Sequence, residues 1–129
     1  MSDKFTVEII TPDKSIHNSE ASEVTIPSYE GQMGILKDHI PLITFLRPGV
    51  IFVQSQEERK YYVEEGAVEF SNNNLLILTS TARNLTDLNQ SFIGDLLNQA
   101  EDKLKNDNYS DKERYLLSYK ISTLKEIKQ

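Results

Sequence analysis

The stretch EGQMGILKDHIPLITFLRPG, from Glu30 to Gly49, combines three glycines, two prolines and a histidine. A glycine-rich segment can hold a phosphate group, but the P-loop also requires a Lys-Ser/Thr pair that this stretch lacks. The two histidines, His17 and His39, stand far apart, and the chain has no cysteine to complete a metal site. No G-x-S-x-G nucleophile motif occurs. The sequence therefore predicts no catalytic centre, no metal site and no cofactor.

The same stretch has a structural interpretation. Glycine tolerates positive φ, whereas proline fixes φ and cannot donate to a sheet. Residues 30–49 are therefore predicted to form a loop of defined shape, followed by a short strand and a tight turn. Spacing alone favours a rigid connection inside a β domain over a functional loop.

Composition excludes several classes of protein. The net charge of −6 over 129 residues argues against non-specific binding of nucleic acid, which requires basic patches. No apolar run approaches the ~20 residues that span a bilayer, so direct membrane insertion is not expected. The first ten residues, MSDKFTVEII, enter a strand pattern at once, so no targeting peptide is expected.

The segments on either side of residues 30–49 are predicted to be strands. Apolar and polar residues alternate from Phe5 to Ile9, and similar short runs recur between turns as far as Thr79. Eight to ten short strands at regular spacing predict an antiparallel β-sandwich or flattened barrel over residues 1–86.

The periodicity changes to that of a helix after residue 86. Asp87 with Gln90 is predicted to cap a first helix, and Ser110 with Glu113 has the pattern of a capping box for a second. Both helices carry one apolar stripe. Residues 87–129 are therefore predicted to form a C-terminal αα-hairpin, broken at Asn106-Asp107-Asn108.

Charge is distributed unevenly between the two parts. Residues 1–86 carry twelve acidic and seven basic side chains, whereas residues 110–129 carry three acidic and five basic ones. One interpretation is an ordinary solvated helix face with cations near the C-terminus, where the helix dipole favours them. The other is a basic helix that binds an acidic partner surface.

The segment EGQMGILKDHIPL resembles a motif near the start of the epsilon subunit of bacterial F-type ATP synthases, called delta in mitochondria. Further similar segments follow in the family's order. They are Leu46-Arg47-Pro48-Gly49, Val63 to Glu69, Leu76 to Ala82 and the helical tail. The resemblance covers nearly the whole chain. Its departures include Glu65 in place of the first glycine of a pair, and Lys37 in place of a proline.

The resemblance implies a non-catalytic rotor subunit of the central stalk. Its β domain would contact the gamma subunit and the polar loops of the membrane proteolipid (c) ring, as a peripheral protein on the cytoplasmic face of the bacterial inner membrane. The contact residues it implies are Glu30, Gly31, Gln32, Gly34 and His39. Position 32 is often acidic in the family, so the glutamine here puts a charge-based contact in question.

For the tail, the resemblance implies helices that fold beside the sandwich or extend toward the catalytic beta subunits and restrain ATP hydrolysis. Arg114, Lys120 and Lys125 are the residues predicted to meet an acidic loop there. Some family members bind ATP through an (I/L)-D-x-x-R-A motif. Here Asn89, Phe92 and Ile93 replace its charged and small residues, so no ATP binding is predicted, and Phe92 is expected in the seam between the helices.

Two other functions remain consistent with the residue pattern itself. One is a ligand-binding β-sandwich whose helical hairpin senses a nucleotide. The other is a stand-alone sandwich adaptor that binds a partner helix. Co-purification with an ATPase complex would separate the rotor subunit from both.

Overall fold

The computed structural model of the chain describes residues 3–106 and 108–128. Its strands are β1 (Phe5–Ile10), β2 (Ser15–Ala21), β3 (Glu23–Ser28), β4 (Gly31–Leu36), β5 (Leu42–Leu46), β6 (Gly49–Gln54), β7 (Glu58–Val63), β8 (Gly66–Ser71), β9 (Asn74–Thr79) and β10 (Ala82–Asn84). A 3₁₀ turn (Leu85–Asp87) leads to helices α1 (Gln90–Leu104) and α2 (Asp111–Ile127). The prediction of a β-sandwich followed by an αα-hairpin is confirmed.

The strands form two layers, which are joined into one ten-stranded sheet. The first sheet has the order β10-β7-β6-β3 with β4 added on β3, and the second has the order β5-β8-β9-β1-β2. The two are linked where Ser28 of β3 pairs with Leu46 of β5. All pairs are antiparallel except β1 with β9, which run parallel. Strand β1 lies between β2 and β9 in the second sheet, and its parallel ladder with β9 joins segments that are far apart in the chain.

The main core lies between the two sheets. Alternate residues of most strands point inward and are buried there, and Phe5 and Phe70 meet edge to face with ring centroids 5.5 Å apart. The neighbouring tyrosines of β7 separate the two sides of the first sheet. Tyr61 points into this core, whereas Tyr62 points outward and is buried beneath the helices.

The helical hairpin covers the outer face of the first sheet. Ile93 and Leu97 of α1 and Leu124 of α2 form a second apolar cluster around Tyr62. Burial raises the pKa of Tyr62, and so does the neighbouring Glu64 carboxylate, which accepts a hydrogen bond of 3.2 Å from the Tyr62 hydroxyl. The buried ring of Tyr62 therefore anchors the helices to the sandwich.

The structure confirms one of the two helix-capping predictions and contradicts the other. Ser110 and Glu113 form the predicted capping box, with reciprocal hydrogen bonds of 3.1 Å. The prediction of Asp87 as the cap of α1 was wrong. Asn89 is the N-cap, and its side chain accepts the Phe92 N–H at 2.7 Å. Asp87 instead belongs to the 3₁₀ turn, whose presence moves the helix start by two residues. Of the predicted break after α1, Asp107 lies outside the described residues.

A histidine helps to close the sandwich where β2 faces β7. The Nδ1 atom of His17 lies 2.8 Å from the Tyr61 hydroxyl, and its Nε2 atom lies 2.6 Å from the Ser19 hydroxyl. Burial lowers the pKa of His17, and the positive charge of Arg59 lowers it further. The neutral imidazole is therefore the form that the fold favours.

We expect the wild-type protein to lose stability as the pH falls below the ordinary histidine pKa of about 6.5. The pKa of His17 is lower in the folded state, so the unfolded chain binds more protons and is favoured by acid. Urea unfolding between pH 7.5 and pH 5 measures this. A His17→Gln variant should show a shallower pH dependence over that interval, and an unchanged slope would contradict the prediction.

Candidate partner-binding surfaces

The turn between β3 and β4 holds the first of the predicted contact residues. Glu30 is exposed, its N–H donates to the Ser28 hydroxyl at 3.2 Å, and that hydroxyl donates to the Gly31 carbonyl at 2.7 Å. Gly31 has φ of 123°, which a side-chain-bearing residue rarely adopts. The turn thus has a fixed shape that presents the Glu30 carboxylate to solvent.

The stretch after this turn is a strand, so the prediction of a loop was wrong for it. Gly31–Leu36 pairs along its whole length with β3. Gln32 and Gly34 lie on its exposed face, and β3 is its only partner in the part of the chain that the structure describes. A strand with one free edge offers backbone donors and acceptors as well as side chains to a partner. Glycine is needed for backbone conformation at Gly31, but not at Gly34.

His39 lies at the opposite end of β4 from Glu30. Its Nδ1–H donates to the Ile40 carbonyl at 2.7 Å, and its ring meets Phe70 edge to face at 6.0 Å. The preceding residue, Asp38, has φ of 67° and exchanges two hydrogen bonds with the Asn73 side chain, of 2.7 and 3.0 Å. The five predicted residues therefore lie along one edge strand and its two ends, and do not form one compact pocket.

The three predicted cations of the tail have different surroundings. Arg114 donates to the carbonyls of Leu104 and Asn106 at 3.1 and 2.8 Å, so it stabilises the C-terminal end of α1. Lys120 forms a half-buried ion pair of 3.2 Å with Glu64. Lys125 is exposed in the last turn of α2. In the docked arrangement, two of the three charges already serve internal contacts.

Sequence reasoning missed an apolar surface on the outer face of the second sheet. Phe45, Ala67, Leu78 and Ile10 are consecutive register partners across β5, β8, β9 and β1. Ile43, Phe45 and Leu78 are 73%, 57% and 46% exposed, and we call these three residues the apolar face. The signal was present in β5, where Ile43 and Phe45 alternate with Thr44, although the polar Thr44 is the one that points inward.

A groove of about 730 Å³ separates α2 and the start of α1 from β6. The Arg47 guanidinium lies over the Tyr119 ring at 3.8 Å, and the Lys60 ammonium lies 5.2 Å from the Phe52 ring centroid. Phe92 was expected in the helical seam, and that prediction was wrong. It is half-buried, does not belong to the apolar cluster between the helices and the sheet, and its ring lies 4.9 Å from the Arg83 guanidinium of β10.

Among the described residues, no group of three histidine, cysteine or carboxylate side chains is arranged to hold a metal ion. Neither described helix is long and apolar enough to cross a membrane. The molecule thus combines a rigid sandwich, one covered outer face and one uncovered apolar outer face. A sandwich with an exposed apolar sheet face is typical of a subunit that acts through protein–protein contacts.

Comparison with known proteins agrees with this class. The family model described as "ATP synthase, Delta/Epsilon chain, beta-sandwich domain" matches residues 4–85. The ATP synthase epsilon chain of Pelagibacter ubique is 49% identical over 97% of this chain and 98% of its own length. That of Alkalilimnicola ehrlichii is 36% identical over 78% of this chain and 73% of its own.

The fold is also found in solved structures. A chain of the Euglena gracilis mitochondrial ATP synthase (OSCP/F1/c-ring) superposes with a TM-score of 0.75 at 19% identity, covering 97% of this chain and 79% of that one. A chain from the central stalk/c-ring structure of the Tetrahymena thermophila enzyme gives 0.67 at 15% identity, covering 96% of both. On the family match and the sequence identities, this chain belongs to the delta/epsilon family of ATP synthase subunits, as a non-catalytic epsilon chain.

Proposed function

We propose that this chain is the central-stalk subunit that couples rotation of the membrane proteolipid ring to ATP synthesis, and that its helical hairpin regulates ATP hydrolysis. The relatives named as epsilon chains and the similar fold in central stalk and c-ring structures support this role. The subunit would sit peripherally at the cytoplasmic face of the bacterial inner membrane.

The apolar face is the observation that carries the proposal. Exposed apolar side chains that are contiguous across several strands mark a protein–protein contact in soluble domains. The outer face of the first sheet already has the helices as its cover, so the second sheet is the one left for another subunit. We assign the gamma subunit to it, because a rotor needs a dry and well-packed contact to transmit torque.

The β3–β4 turn and the free edge of β4 suit a different partner. Glu30, Gln32 and Gly34 are exposed there and offer hydrogen bonds and close backbone approach, beside the exposed side chains of Tyr29 and Leu36. We assign these residues, with Gly31 and His39, to the polar loops of the proteolipid ring. The sandwich would then bind gamma through a sheet face and the ring through an edge strand.

The helical hairpin would reach the catalytic beta subunits only after leaving the sandwich. In the docked state Arg114 and Lys120 are engaged with Leu104, Asn106 and Glu64. Undocking and straightening the hairpin would release both charges for an acidic loop, together with the exposed Lys125. The docked state is accordingly the one that we assign to unrestrained hydrolysis.

A binding measurement with soluble gamma subunit, encoded in the same genome, tests the apolar face. A Phe45→Lys variant should bind gamma about tenfold or more weakly, because an apolar anchor residue becomes a desolvated charge. Its matched control is Leu36→Lys. Leu36 has nearly the same exposure, 55% against 57%, but lies on β4, outside the apolar face.

The two variants separate the two surfaces. Leu36→Lys should keep its affinity for gamma in solution and lose affinity for ring-containing membranes. Equal binding of gamma by wild type and Phe45→Lys, with both proteins folded by circular dichroism, would refute the assignment of the apolar face.

A further inference from the structure

Helix α2 touches the β3–β4 turn directly, through a group of four side chains. The Tyr115 hydroxyl donates to the Tyr29 carbonyl at 3.2 Å, and their rings meet edge to face at 6.2 Å. Tyr115 also packs on Tyr119 at 4.8 Å, and the Arg47 guanidinium lies 3.8 Å over the Tyr119 ring. We call Tyr29, Arg47, Tyr115 and Tyr119 the Tyr–Arg cluster.

The sandwich side of this cluster is rigidly tied to the turn. The Tyr29 N–H donates to the Phe45 carbonyl at 3.1 Å, and the Arg47 N–H donates to the Pro27 carbonyl at 3.0 Å. The Ser28 hydroxyl accepts from the Glu30 N–H and donates to the Gly31 carbonyl, as described above. Because the turn has little internal freedom, a force on Glu30 or Gly31 displaces Tyr29 as well.

A further polar contact of α2 lies at the same end of the sandwich. Lys120 reaches Glu64, in the β7–β8 turn, at 3.2 Å. The Thr123 hydroxyl donates within the helix to the Tyr119 carbonyl at 2.7 Å and lies 3.4 Å from the Pro48 carbonyl. The apolar cluster around Tyr62 supplies further packing of α2 on the sandwich. A small interface of this kind can open without unfolding of the sandwich.

We propose that the Tyr–Arg cluster couples the β3–β4 turn to the docking of α2. A partner that grips the turn and shifts Tyr29 weakens the contact with Tyr115 and favours release of the helix. By linkage, the docked helix in turn changes the affinity of the turn for that partner. The identity of the partner rests on the proposed function, but the coupling is a property of the isolated chain.

Amide hydrogen exchange on the full-length protein tests the coupling without any partner. Tyr115→Ala should accelerate exchange of the α2 amides about tenfold, because it removes a hydrogen bond and two aromatic contacts at a half-exposed site. Ser28→Ala, which does not touch α2 but loosens the turn, should accelerate the same amides about threefold. In the double variant, Ser28→Ala should add almost nothing to the effect of Tyr115→Ala.

Two variants serve as controls. Tyr109→Ala makes the same chemical change in the turn between the helices, and Asn73→Ala removes hydrogen bonds at the opposite end of the sandwich. The effect of each control variant on exchange of the α2 amides should add fully to the effect of Ser28→Ala. Amides of β1 and β9 report global unfolding, so a rise in α2 exchange counts only where theirs is unchanged.

Gly31→Ala provides a second perturbation of the turn if Ser28→Ala does not fold. Its φ of 123° strains any side chain, although no atom lies within 4 Å of the added methyl group. Unchanged α2 exchange in both turn variants, or effects that add fully to that of Tyr115→Ala, would overturn the coupling. Such a result would leave the binding measurements with gamma and ring membranes unaffected, so the two proposals fail separately.

Discussion

A Gly66→Ala variant is expected to be one of the most destabilised single substitutions in this protein. A methyl group at Gly66 would lie 2.5 Å from the Leu78 carbonyl oxygen and 3.0 Å from the Thr79 Cβ atom. Both contacts involve strand β9, which pairs with β8 at this point and cannot withdraw without breaking the ladder. Overpacking of this kind costs about 2–3 kcal/mol. The melting temperature should fall by roughly 10–20 °C, as expected for a domain of this size.

Gly34→Ala is the matched control. The added methyl group would lie 3.5 Å from the end of the Glu23 side chain, which is ordinary contact, and Gly34 lies in an exposed strand. Alanine there should leave stability unchanged or raise it by about 0.5 kcal/mol, because glycine loses more entropy on folding. Thermal unfolding of the two variants by circular dichroism makes the comparison. Similar melting temperatures for both would contradict the steric argument.

The second large effect concerns the helical hairpin. A fragment of residues 1–86 is expected to fold cooperatively and to show a β-type circular dichroism spectrum, because the buried members of the main core lie within Phe5–Ile77. Among the described residues, Tyr62 is the one member of the sandwich strands that is buried in the helical cluster. Exposing its ring should lower the free energy of unfolding by about 2–4 kcal/mol relative to the full chain.

A Tyr62→Gln substitution tests whether the hairpin stabilises the sandwich by covering the Tyr62 ring. In the full chain the substitution should cost about 3 kcal/mol, because it leaves a cavity beneath α1 and α2. In the 1–86 fragment it should cost almost nothing, since the side chain is already in water. A molten fragment would show that the sandwich depends on the hairpin, whereas an equal loss of stability from Tyr62→Gln in both proteins would show that Tyr62 does not act through the helices.

The placement of the helices gives the regulatory proposal its energetic basis. The hairpin is held by one apolar cluster and by a few polar contacts at one end of the sandwich. Undocking releases Lys120 from Glu64, and straightening of the hairpin releases Arg114 from the carbonyls of Leu104 and Asn106. The cost of both steps is offset when the two charges meet an acidic surface elsewhere. A coupling between the turn and α2 would let events at the ring influence that equilibrium.

Local sequence patterns were sufficient for the elements whose stability is local. Alternation predicted the strands, because each strand buries every second residue whatever its neighbours are. The capping box at Ser110 and Glu113 was readable, since both partners lie within one turn of helix. The ordered motifs from Glu30 to Ala82 pointed to the family. These features depend on residues that are close in the chain.

Tertiary structure decided the rest, because it depends on which distant segments meet. Residues 31–36 form a strand because they pair with β3. Their glycines and the nearby prolines suggested a loop, since the pairing with β3 cannot be seen in the local sequence. Because a 3₁₀ turn precedes α1, the N-cap of this helix is Asn89 and not Asp87. Phe45 is exposed and Tyr62 is buried, although both point outward, because the helices cover one sheet and leave the other bare. No local pattern predicts which sheet is covered, because that depends on the long-range docking of α1 and α2.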